Sequence, residues 1–144
     1  MISNKAEIVP GIGLGGLLLG QSLRGLEWEQ QWQEDNTILR GCLQDGSIVV
    51  TGDLAQDRIV GLEAQSGYTG CLPGGIGLGM DLREARRRQP QLRPHDLLSG
   101  LYEPERLAFL LQGESLIESI LICDFAHDYW TFARPLLDEE EYDP

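Results

Sequence analysis

Short runs in which apolar and β-branched residues alternate with polar ones predict strands along most of this chain. Residues 37–43 and 47–51 form two such runs, and the turn signal Gln44-Asp-Gly46 between them predicts a hairpin. Further runs predict strands at residues 58–65, 106–111, 116–124 and 129–133, with a second hairpin turn at 112–115. Adjacent strands joined by tight turns favour an antiparallel sheet.

Two segments with a different periodicity predict short helices. After Ser22, a good N-cap residue, LRGLEWEQQWQ (23–33) places Leu23, Leu26 and Trp32 at helical spacing, although Gly25 weakens it. After Asp81, LREARRR (82–88) predicts a helix that ends before Pro90. The Pro-containing stretch that follows, PQLRPHDLLSGLYEPE, predicts a loop.

An internal repeat relates the two predicted helices. GLLLGQSLR (16–24) and GIGLGMDLR (75–83) share five of nine residues at an offset of 59, and a Pro-Gly turn precedes each. We therefore predict an α+β fold with two related halves, about 8–66 and 67–125, in a single domain spanning 1–137. Each half contributes a short helix and then antiparallel strands, so that one sheet carries both helices on one side. The acidic ending DEEEYDP (138–144) predicts a solvated tail.

Three glycines in the first copy, Gly11, Gly13 and Gly16, have the spacing of a dinucleotide-binding loop. Such a loop needs a strand before it and a helix that begins at the last glycine. Here Pro10 closes a short apolar run, and the predicted cap Ser22 comes six residues too late. We interpret the glycines as structural residues and expect no cofactor.

The net charge of the chain limits the classes of function that fit it. Eleven basic against 23 acidic residues give a net charge of −12 and a pI near 4.4. This charge repels nucleic acids and anionic membranes and favours a basic partner, although it could simply aid solubility. Three cysteines without C-x-x-C spacing predict reduced thiols. Without a signal-peptide pattern or a membrane-spanning run, we expect a cytoplasmic protein.

No residue pattern predicts catalysis or metal binding. His95-Asp96 and His127-Asp128 pair histidine with carboxylate but lack metal-ligand spacing, and Ser99 lacks a nucleophile motif. We therefore expect neither an enzyme nor a metal site. The basic cluster at residues 83–93 either interacts favourably with the dipole of the second helix or contacts an acidic partner or the acidic tail.

Aromatic residues beside carboxylates indicate a protein-binding surface, because rings anchor a partner while charges steer it. The candidate residues are Glu27, Trp28, Glu34, Asp35, Asp124, Asp128, Tyr129 and Trp130. In the alternative interpretation, Trp28 and Trp32 are the core stripe of the first helix.

The repeated segments IVPGIGLGGLLLGQSLRGLE and GYTGCLPGGIGLGMDLREA resemble small immunity proteins of bacterial toxin systems. Their order is also similar to the tandem-repeat architecture of the β-lactamase-inhibitor-like group. The resemblance covers the chain to about residue 125. It implies a non-catalytic inhibitor that occludes the active site of a cognate toxin inside the producing cell. A basic nuclease fits the charge, and NAD-consuming or peptidoglycan-cleaving toxins fit nearly as well. The alternatives are an adaptor for another cellular protein, or a small-ligand-binding protein or enzyme.

Overall fold

A seven-stranded antiparallel sheet dominates the computed structural model, which describes residues 2–34, 36–90, 100–102, 107–112 and 116–124. A two-stranded hairpin of β1 (Gly13–Leu14) and β2 (Leu17–Leu18) precedes it, and α1 (Leu82–Arg88) lies between its two halves in sequence. The strands of the large sheet run in the order β3-β4-β5-β6-β9-β8-β7. Their bounds are β3 Gln30–Gln33, β4 Ile38–Leu43, β5 Ile48–Asp53, β6 Arg58–Ala64, β7 Gly100–Tyr102, β8 Leu107–Gln112 and β9 Leu116–Cys123.

The core lies between the large sheet and the segments that lead into its two halves. The sheet contributes alternate apolar residues, which a period of two places on one face. They include Leu43, Ile48, Val50, Leu62, Ala64, Ile120 and Ile122. The opposing residues come from the N-terminal segment, the loop after β6 and α1: Ile8, Leu14, Leu17, Tyr68, Leu72, Ile76 and Ala85.

The two three-stranded meanders, β4–β6 and β7–β9, have the same register. Gly41 pairs with Val50 in the first meander, and Gly100 pairs with Phe109 in the second, at an offset of 59. The pairing register shifts between Thr51 and Gly52, where β6 has one extra residue, and it shifts again at the equivalent position between Leu110 and Leu111, where β9 has one extra residue. Because a register and a bulge both recur, the meanders are one backbone motif used twice.

The repeated glycine segments attach to the meanders in the same way. The Gly20 N–H donates to the carbonyl of Ile59 at 2.8 Å, and the Gly79 N–H donates to that of Ile117 at 2.8 Å. The N–H groups of the two isoleucines donate in return to residues 21 and 80, at 2.8 and 2.9 Å. Each glycine segment therefore pairs with the last strand of its own meander.

The predicted α+β class, with a helix in each half, is wrong. The described residues form mostly β-structure with one helix of seven residues. Residues 23–33 form no helix: Gly25 has φ +84°, which a helix cannot contain, and Gln30–Gln33 pair with β4. Ser22 does make a cap-like contact, as its Oγ accepts a hydrogen bond from the Arg24 N–H at 3.1 Å. The cap at Ser22 starts no helix, because the backbone leaves helical geometry three residues later, at Gly25.

Other predictions from the pattern are confirmed. The second predicted helix is α1, and the Asp81 carboxylate caps it by accepting from the Arg83 N–H at 2.8 Å. The strands predicted at 37–43, 47–51, 58–65, 106–111 and 116–124 correspond to β4, β5, β6, β8 and β9. The predicted loop that follows residue 90 contains β7, so that part of the prediction is wrong. The strand predicted at 129–133 and the tail at 138–144 lie outside the described residues.

The three glycines of the dinucleotide-type spacing lie around the β1–β2 hairpin. Gly11 and Gly16 have φ values of +71° and +83° in the turns, and a Cβ on Gly13 would overlap the carbonyl of Leu17. Left-handed turns and close backbone approach both require glycine. No helix begins at these glycines, so their arrangement differs from that of a dinucleotide-binding loop.

Candidate protein-binding surface

The strand β3 forms one edge of the large sheet. Its four residues, QQWQ, are all exposed, and among the described strands it pairs with β4 alone. Trp32 stands on this edge with 42% of its surface exposed. Its indole Nε1 donates to the Glu34 carboxylate at 3.1 Å, which holds the ring beside an acidic group.

Three polar side chains, Arg40, Thr51 and Glu63, form a row on the sheet beside Trp32, which we call the polar row. The Arg40 guanidinium lies 5.9 Å from the centre of the indole ring, within cation–π range. Arg40 also donates to Thr51 Oγ1 and to Glu63 Oε1, each at 3.1 Å, and lies 3.6 Å from Glu34. The Glu63 side chain is only 11% exposed. The arginine is therefore held from several sides and gives the exposed ring a rigid base.

An acidic cleft of about 600 Å³ opens near the N-terminal end of β3. Its polar lining consists of Glu27, Glu29, Gln44 and Asp45. The Glu29 carboxylate accepts hydrogen bonds from the N–H groups of Asp45 at 2.7 Å and Gly46 at 3.0 Å. Asp45 and Gly46 both have positive φ in the β4–β5 turn, so Glu29 joins that turn to the chain entering β3. Glu27 is exposed in the same cleft and presents a carboxylate to solvent.

The predicted binding residues separate into different environments. Glu27 and Glu34 flank β3 at the surface, one on each side in sequence. Trp28 is half-buried and packs against the core, where a Cβ on Gly41 would overlap its ring. Asp124 lies elsewhere, at the end of β9, and pairs with Arg58 at 3.1 Å. Asp35, Asp128, Tyr129 and Trp130 lie outside the described residues.

Three residues of this surface were not in the predicted set: Glu29, Trp32 and Asp45. The signal for Trp32 was present, because alternation in QQWQ places a lone aromatic among polar residues on a strand. The core-stripe alternative covered Trp28 and Trp32 alike, whereas in the structure Trp28 packs on the core and Trp32 is exposed. The bond from Glu29 to the β4–β5 turn spans 16 residues in sequence and has no local signal.

The basic cluster on α1 is largely paired within the helix. Arg87 and Arg88 contact the Glu84 carboxylate at 2.7 and 3.0 Å. Hydrogen bonds from these two arginines lower the pKa of Glu84. Arg83 contacts the capping Asp81 at 3.4 Å, whereas Arg93 lies outside the described residues. These contacts agree with the interpretation in which the arginines stabilise the helix.

The structure describes the cysteines but not the candidate histidines and serine. Cys42 and Cys71 are half-buried, Cys123 is buried, and the three residues form no disulfide. The residues described include no group of three or more His, Cys, Asp or Glu side chains placed to hold a metal ion. His95, Ser99 and His127 fall outside them. In the same part of the chain, no helix has the length and apolar character needed to cross a membrane.

Comparison with protein-family models, curated proteins and solved structures gave no match for this chain. The surface around β3 is therefore the feature of this chain that points to a function.

Proposed function

We propose that this chain is a non-catalytic immunity or inhibitor protein that binds a basic cognate toxin and occludes its active site. The observation that carries the proposal is Trp32, an exposed ring on a sheet edge with carboxylates on both sides of the strand in sequence. Exposed tryptophans held in place by neighbouring groups are frequent energetic centres of protein interfaces.

The charge around this edge supports a basic partner. Residues 25–47 contain five carboxylates and one arginine, and that arginine, Arg40, is engaged by Glu63 and Glu34. The net charge of −12 acts over a longer range and speeds the encounter with a cationic protein. Charge of this sign sets the rate and orientation of approach, and the aromatic contact then supplies affinity.

The proposed place of action is the cytoplasm of the cell that produces the toxin. Three cysteines that form no disulfide suit a reducing compartment, because thiols persist there.

The test is co-expression and co-purification with the product of the neighbouring gene. We expect that product to be toxic alone, to be tolerated with this chain, and to form a complex with it. Trp32→Ala should weaken the complex about 30-fold, the effect of losing one central aromatic anchor. Glu27→Gln should mainly slow association at low salt.

Glu118→Gln is the matched control, because it removes the same charge from an exposed position on β9, three strands from β4. A neighbouring product that is harmless and forms no complex would refute the immunity function. A stable complex with a basic but harmless protein would instead favour the adaptor alternative.

A further inference from the structure

The outer edge of β3 offers backbone groups as well as side chains. Edge strands carry a row of N–H and C=O groups with no neighbour in their own sheet, and an extended peptide can pair with that row. We infer that β3 binds an extended cationic segment of its partner as an added strand. This inference rests on the proposed function for the charge of the partner, and it adds the mode of binding.

Among the residues that the structure describes, the sequence and geometry of β3 leave its edge open for pairing. Natural edge strands are commonly protected by proline, lysine, a bulge or a covering segment. Gln30–Gln33 contains no proline and no charge, pairs with β4 in unbroken register, and is exposed at all four residues. A regular four-residue edge of this kind can extend the sheet by one strand.

The carboxylates beside β3 favour a cationic partner segment over a second copy of this chain. Glu27 and Glu29 precede the strand and Glu34 follows it, so carboxylates lie beyond both of its ends in sequence. Pairing with a second copy would bring the same carboxylates of two chains together, which disfavours self-association. A segment that carries lysine or arginine would meet charges of opposite sign along its length.

Trp32 adds a side-chain contact to the backbone pairing. Side chains of an added strand alternate between the two faces, so every second one lies on the face that carries Trp32. A cationic or apolar side chain there can pack on the exposed part of the indole ring. Because Arg40 holds the ring from below at 5.9 Å, little ordering is required when the segment binds.

The experiment uses the full chain and a synthetic peptide of alternating lysine and valine. Binding is followed by backbone amide chemical shifts and by hydrogen exchange. We expect the largest shifts at residues 30–33, and exchange protection of those amides in β3 that point away from β4. The same peptide N-methylated at three central residues keeps its charge but loses backbone donors, and it should bind about tenfold more weakly or worse.

Two variants separate edge pairing from general attraction. Gln31→Lys places a cation on the edge and should repel the peptide, whereas Ser66→Lys adds the same charge to an exposed turn after β6 and should have little effect. Thermal unfolding of both variants checks that the fold is retained. Equal binding of the two peptides, shifts centred away from β3, or no binding at about 1 mM peptide would each overturn the inference.

Failure of the inference can be distinguished from failure of the proposed function. If the chain neutralises its toxin while the amides of β3 stay unprotected in that complex, the mode of binding is wrong and the function stands. If the peptide pairs with β3 but no toxin is neutralised, the edge site stands and the immunity function is wrong.

Discussion

Glu63 on β6 lies directly opposite Leu121 on β9, and the two residues occupy equivalent positions in the two meanders. Val49 pairs with Glu63 in the first meander, and Ala108 pairs with Leu121 in the second. A local two-fold axis therefore passes through this pair. The side chains differ in kind, because Glu63 holds Arg40 whereas Leu121 is a buried apolar residue. The first meander therefore carries the charged Glu63 at the position where the second meander carries the apolar Leu121.

Removal of Arg40 should destabilise the protein strongly. Arg40→Met leaves the nearly buried Glu63 carboxylate without its cation, and we expect a loss of about 3 kcal/mol in the free energy of unfolding. The double variant Arg40→Met/Glu63→Leu should recover most of this loss, because leucine is the residue that stands at position 121. Urea denaturation measures both values.

Arg24→Met is the control for the Arg40 series, because the Arg24–Asp57 pair is 3.6 Å apart and its arginine side chain is 90% exposed. It should change the free energy of unfolding by less than about 0.5 kcal/mol. A double Arg40/Glu63 variant no more stable than Arg40→Met would contradict the assignment of the loss to an uncompensated charge.

Alanine at either repeated glycine should strain the backbone. Gly20 and Gly79 have φ values of +88° and +85°, and a Cβ would meet nothing within 4 Å at either position. Gly20→Ala and Gly79→Ala should therefore each cost about 1 kcal/mol from conformation alone. Asparagine tolerates positive φ better, so Gly20→Asn should cost less than Gly20→Ala. Thermal unfolding checks the order, and equal stability of the glycine and alanine forms would disprove it.

Tyr68→Phe should weaken the attachment of the N-terminal segment. The buried Tyr68 hydroxyl donates to the Ala6 carbonyl at 2.7 Å and accepts from the Gly15 N–H at 2.8 Å. The variant keeps the ring but leaves a buried N–H unpaired, so we expect a loss of about 2 kcal/mol in a denaturant titration. Unchanged hydrogen exchange at Gly15 would show that water or another group replaces the hydroxyl.

Alkaline pH provides a second measurement on Tyr68. Burial raises the pKa of Tyr68 above its ordinary value of 10.0. The stability that depends on the protonated phenol is therefore complete below about pH 10 and is lost as the pH rises through the raised pKa. In Tyr68→Phe that part of the alkaline loss should disappear.

Asp57 should contribute an acid-sensitive share of stability. The hydrogen bond from Ser22, at 2.7 Å, is the main cause that lowers the pKa of Asp57 below 3.8, and the Leu23 N–H and Arg24 add to it. A lowered pKa in the folded state means that this stability is present above pH 3.8 and is lost as the pH falls through the folded value. Wild type and Asp57→Asn should therefore converge in stability on acidification.

Asparagine is the suitable replacement at this position, because Asp57 has φ +49° and asparagine accepts that conformation. Urea denaturation between about pH 2 and pH 6 makes the comparison. A constant difference between the two proteins across this range would contradict the role of the carboxylate charge.

The pattern of the sequence predicted the strands around β4, β5, β6, β8 and β9, because each carries apolar or β-branched alternation between turn residues. It also predicted α1, where the Asp81 cap and Pro90 mark both ends. It failed at β3, because the helical spacing of Leu23, Leu26 and Trp32 predicted a helix there, and at β7, whose three residues lie in a stretch predicted to be a loop. Short strands depend on their neighbours, and a propensity scale does not contain that information.

The candidate site, like the fold, could be predicted from the sequence only in part. Its acidity and aromatic content could be taken from the sequence, and so could Glu27 and Glu34 as members. The distinction between Trp28 and Trp32 could not, because positions four apart share a face on a helix and are also an even spacing on a strand. The structure packs the half-buried Trp28 against Gly41 and leaves Trp32 on the edge. Likewise, Asp124 belongs to an ion pair with Arg58, 66 residues away in sequence.

The sequence by itself determined the alternating strands, the repeated glycine segments and the excess of negative charge, since these follow from local preferences and composition. Only the tertiary structure decided that residues 30–33 form a strand, because the backbone of β4 offers hydrogen bonds that outweigh a weak local preference for helix. It also decided which acidic and aromatic groups share a surface. That choice depends on contacts between distant residues, such as Glu29 with the β4–β5 turn and Arg40 with Glu63.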